Sequence, residues 1–76
     1  MVRAKFICEK VEKSGEGTEH EQDDVSLRAV YEGSEENKEF FKYTPAGSIV
    51  LGTVNPAAAA QFTVGAEYYV DFTPAA

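Results

Sequence analysis

Few side chains in this chain could do chemistry. One histidine (His20), one cysteine (Cys8) and thirteen carboxylates are set among 76 residues. Nucleophilic catalysis needs a serine, cysteine or threonine held beside a base. Here Cys8 sits in an apolar stretch, and His20 lies in an acidic one with no nucleophile to serve. Paired carboxylates need burial to split their pKa values, and most of these acids fall in polar stretches. Neither G-x-x-x-x-G-K-[ST] nor G-x-G-x-x-G occurs, so no phosphate-cradling loop is signalled. Glu19, Glu21, Asp23 and Asp24 offer the oxygens that hard cations want, but without the residue order of a calcium loop. The reading is a protein that is not an enzyme, with no cofactor and no metal site. Cys8 is read as a small buried apolar residue and His20 as a surface one.

Aromatic surface and positive charge meet in one stretch, Glu36 to Pro45, ENKEFFKYTP. Taken as an extended segment, it puts Lys38, Phe40 and Lys42 on one face and Glu39, Phe41 and Tyr43 on the other. An aromatic ring between two cations is how single nucleotides are held. Lysines on a strand also serve simply to guard an edge against aggregation. Tyr69, outward between Glu67 and Asp71, joins this group. The expected site for a ligand or partner is therefore Lys38, Phe40, Lys42 and Tyr69.

The elements that must position these residues read as strands. Val2, Ala4, Phe6 and Cys8 alternate against Arg3, Lys5 and Glu9, with Ile7 and Val11 as apolar residues on the outer phase. Residues 12–24 carry six acids and two glycines, which predicts a long, mobile acidic loop. Val25, Leu27, Ala29 and Tyr31 share a face in a second strand, EGSEEN supplies a turn, and 38–43 makes a third strand. After Thr44-Pro45-Ala46-Gly47, residues 48–54 form a nearly continuous apolar strand, with Gly52 marking a bulge or bend. Asn55 and Pro56 start a short helical turn over 56–61, and 66–72 is the last strand.

Five strands with one helical turn between the fourth and fifth predict an all-β domain, residues 1–76, with the order of an SH3-like barrel. An open β-sandwich or an OB-like barrel is the alternative. The expected core is Phe6, Leu27, Phe41, Tyr43, Leu51, Tyr68, Val70 and Phe72. A chain this short buries only ~60% of its unfolded surface. Ile7, Val30, Phe40 and Tyr69, all on outer phases, therefore point to self-association, most simply as a dimer. The net charge of −6 disfavours long nucleic acids and anionic membranes, and no apolar run reaches the ~20 residues that span a bilayer.

The strings ENKEFFKYTPAGS, NPAAAAQF and GAEYYVDFTPA resemble a group of short, uncharacterised tailed-bacteriophage proteins. The resemblance covers the C-terminal half and the first strand, and it brings no activity to particular residues. It implies a viral protein acting in the host cytoplasm. The expectation that follows is a non-enzymatic binding protein that engages a host protein or sequesters a small anionic, nucleotide-like ligand. A structural or assembly component of the virion is the alternative.

Overall fold

A computed structural model describes residues 2–76. The fold is predominantly β. Among the described residues it holds four strands and two helices: β1 (Val2–Ser14), β2 (Gln22–Ala29), α1 (Glu35–Tyr43), β3 (Ser48–Thr53), α2 (Pro56–Ala59) and β4 (Glu67–Phe72). The strands make one open antiparallel sheet in the order β3-β2-β1-β4. The expected closed five-stranded barrel is not formed, because the segment assigned to its third strand is helical and β3 and β4 lie at opposite edges.

The helix α1 forms for local reasons that the two-residue period conceals. Ser34 is its N-cap, accepting a hydrogen bond from the Asn37 backbone N–H at 3.0 Å. Glu35 and Glu36 occupy the first turn and Lys42 the last, each favourably placed against the helix dipole. Lys38 reaches Glu35 and Lys42 reaches Glu39 at i,i+3 spacing. Residues 38–43 thus lose their strand alternation. The expected core members Phe41 and Tyr43 are 44% and 82% exposed, and Leu51 and Phe72, on the two edge strands, are 45% and 54% exposed.

The long hairpin of β1 and β2 is the spine. Its strands continue to Ser14 and from Gln22, so ladder pairing takes up much of the expected acidic loop and leaves residues 15–21 as the connection. Gly15 turns the chain there with φ of 64°, and a Cβ on it would lie 2.6 Å from the His20 carbonyl oxygen. A bulge between Cys8 and Lys10 resets the side-chain phase of β1. Cys8 opposes Leu27 and, beyond the bulge, Val11 opposes Val25, which brings Val11 to the inner face. Gly52 needs no bulge. The Gln22 amide crosses close to it, 2.6 Å from where a Cβ would stand.

One face of the sheet is apolar. Ala4, Phe6, Cys8, Val25 and Leu27 are its buried centre, and Val11, Ala29, Ile49, Phe62, Tyr68 and Val70 pack around them. The turn α2, capped by Asn55 and opened by Pro56, seats buried Ala59 near β2 and β3. Phe62 follows it and packs on Tyr68 at 5.4 Å between ring centroids. The Tyr68 hydroxyl donates to the Gln61 carbonyl and accepts from the Thr63 N–H, fixing this segment to β4. Among the described residues no helix is long and apolar enough to cross a membrane.

Candidate functional site

The second face carries the charge, and α1 lies on it. The register places Arg3 opposite Asp71, Lys5 opposite Tyr69 and Ile7 opposite Glu67. The Val30 N–H donates to the Lys5 carbonyl, so buried Val30 extends the same face. Asn37 anchors the helix to it. Its side-chain nitrogen donates to the Glu32 carbonyl at 2.8 Å and to Glu67 Oε2 at 2.7 Å. Ile7, Val30 and Phe40, expected to await a second subunit, are thus on the face that α1 of the same chain covers.

Tyr69 stands at the centre of this face. Its hydroxyl donates to Glu36 Oε1 at 2.6 Å, and the Phe40 ring meets its own at 6.1 Å in a tilted arrangement. The Arg3 guanidinium and the Lys5 ammonium lie 4.9 and 5.6 Å from the ring centroid. Arg3 is held by a two-pronged pair of bonds to Asp71, at 2.6 and 2.9 Å. Lys5 sits between Glu36 at 2.8 Å and Glu67 at 3.3 Å. Bonds from Lys5 and then Tyr69 hold the Glu36 carboxyl below its usual value, and the Glu36 bond pushes the Tyr69 phenol up. Arg3 likewise lowers Asp71. The result is an aromatic pair, with Tyr69 52% exposed, inside a ring of internally neutralised charges.

Of the four expected site residues, the structure brings Phe40 and Tyr69 together and leaves Lys38 and Lys42 outside that contact. On a helix, residues two apart point to nearly opposite sides. Phe40 therefore faces the sheet, while the two lysines pair with Glu35 and Glu39 on the exposed side. The interleaved Lys-Phe-Lys face is corrected accordingly. The cations beside Tyr69 are instead Arg3 and Lys5, which only the pairing of β1 with β4 could reveal. A cross-strand Arg–Asp pair flanking a tyrosine was the signal available, once the outer phases of the two strands were laid side by side.

Cys8 is buried with its Sγ near the Lys10 carbonyl, and His20 is exposed beside Glu19. Among the described residues, no group of three or more His, Cys, Asp or Glu side chains is placed to hold a metal ion. Glu21 bonds Lys13 and the Gly17 N–H, while Asp24 accepts from Gln22.

The class these observations define is a small, predominantly β domain: one antiparallel sheet with a helix on its charged face. Comparison with protein-family models, curated proteins and solved structures found no match for the chain.

Proposed function

We propose that this chain is a phage-encoded, non-enzymatic binding protein of the host cytoplasm, and that it engages a host protein through the face centred on Tyr69. The observation that carries this reading is the Tyr69–Phe40 pair, with Tyr69 half exposed, flanked by Arg3 and ringed by paired charges. Tyrosine and arginine at the centre of a patch with a polar rim are the anatomy of a protein-binding hot spot. The phage origin rests on the resemblance of the C-terminal strings alone. A protein partner is favoured over a small anion because Arg3 and Lys5 already have carboxylate partners, so a phosphate would have to displace Asp71, Glu36 or Glu67.

The test is affinity capture from host lysate with the parent, Tyr69→Ala and Phe40→Ala proteins, alongside native mass spectrometry against nucleotides. Proteins held by the parent should be lost with Tyr69→Ala while its melting transition stays cooperative, and truncation of such an anchor costs about 2 kcal/mol or more of binding. Retention of the same proteins by both variants would remove the assignment of this face. Co-purification with mature particles, in place of the lysate, would favour the virion component.

A further inference from the structure

Domains are ordinarily built from at least two packed layers of secondary structure around a core, and this chain completes its second layer on only one side of the sheet. Across the apolar face, Ile49 and Leu51 of β3 and Val70 and Phe72 of β4 wall a cleft of about 580 Å³, with Phe62 among its lining. Leu51 and Phe72 remain 45% and 54% exposed, and neighbouring Val2 65%. The molecule is a slab of 43 × 34 × 19 Å. Its radius of gyration is 14.0 Å, against about 11 Å for a compact domain of this length. The projecting hairpin accounts for the length, and the single sheet for the thinness.

Area and charge say what covers the face. A folded monomer of 8.3 kDa exposes about 4,600 Å². This chain exposes 5406 Å², an excess of about 800 Å² to which the projecting hairpin and the open face both contribute, and which is of the size that each partner buries in a standard interface. The acids of β4, Glu67 and Asp71, point to the opposite face with Arg3 and Lys5. Tyr69 and Asp71 border the cleft through β4, but the register turns their side chains to the other face. The charges on the apolar face itself, Lys13 and Asp23 beyond Val11 and Val25, pair with each other, while the segment Pro56–Ala60 adds only proline and alanine. Two chains of net charge −6 can meet there with the nearby carboxylates, Asp71 and Asp23, already paired to Arg3 and Lys13.

We propose that the occupant is a second copy of this chain, the two apolar faces stacking about a two-fold axis into a sandwich with sheets ~10 Å apart. The proposal is independent of the Tyr69 reading, which uses the other face. Sedimentation equilibrium of the parent should give twice the chain mass. Leu51→Glu and Phe72→Glu should each give a monomer, while Val50→Glu, on the same edge strand as Leu51 but the opposite face, should remain dimeric. Because a glutamate variant could fail to fold, methyl NMR of the parent supplies a second measurement. On dilution the Ile49, Leu51 and Val70 methyls should shift together, and the Val50 methyls should not. A monomeric parent at high concentration overturns the proposal. So does a folded Leu51→Glu protein that stays dimeric, or dilution shifts confined to Val50.

Discussion

Glu36 ties α1 to the sheet through Lys5 and Tyr69, and the direction of its pKa shift fixes how that tie responds to pH. A carboxyl lowered in the folded state contributes stability that is present above its unfolded value and lost as pH falls through the folded one. Stability of the parent should accordingly fall as pH drops below the ordinary glutamate value of 4.5, with a flatter profile in Glu36→Gln, as thermal melts across the acid range would record. At the alkaline end, the phenol of Tyr69 is raised above its ordinary 10.0 by Glu36. The absorbance difference between parent and Tyr69→Phe should therefore show a tyrosine that ionises late. Asn37 is the other residue on which the helix depends. It is buried, and among the described residues its Oδ1 has no hydrogen-bond partner while its Nδ2 makes two bonds. Asn37→Ala removes its part-buried bonds to the Glu32 carbonyl and to Glu67 and should cost about 1 to 3 kcal/mol in urea unfolding.

At the scale of elements, α1 is a short helix supported by its cap, its end charges, buried Asn37 and the contact of Phe40 with Tyr69, since nine residues are too few for helicity without packing. Ser34→Ala should remove about 0.5 to 2 kcal/mol and reduce the helical signal in circular dichroism without abolishing the β signal. An unchanged melting temperature in that variant would mean that tertiary contacts through Asn37 and Phe40 alone hold the helix. The bulge in β1 has a separate role. It allows Phe6 and Cys8 before it and Val11 after it to share one core, although their sequence spacing places them on opposite phases.

For the whole molecule, the buried area is concentrated on the two central strands. Phe6, almost fully buried, should cost about 3 to 5 kcal/mol on replacement by alanine, a large part of the ~5 to 10 available to a small domain. Phe41→Ala, removing a side chain that is nearly half exposed, should cost much less. Chemical denaturation of the pair measures the difference, and equal losses would place Phe41 in the core after all. The stacked dimer would also give the open sheet the second layer that a sandwich has within one chain.

The β character, the faces of β2 and β4 and of β1 as far as Cys8, the Asn55-Pro56 turn and the burial of Phe6, Cys8 and Leu27 were legible in the sequence, because each follows from local periodicity or capping chemistry, whereas the bulge that turns Val11 inward was not. The α1 segment was legible only in part. ENKEFFKY alternates well enough to read as a strand, while Ser34 and the i,i+3 Glu–Lys pairs were the local evidence for a helix. The meeting of Arg3, Lys5, Phe40 and Tyr69 was not legible. It depends on which strands pair, in what register, and on which face the helix lands, and those choices are made by long-range contacts between chain ends that no local pattern encodes.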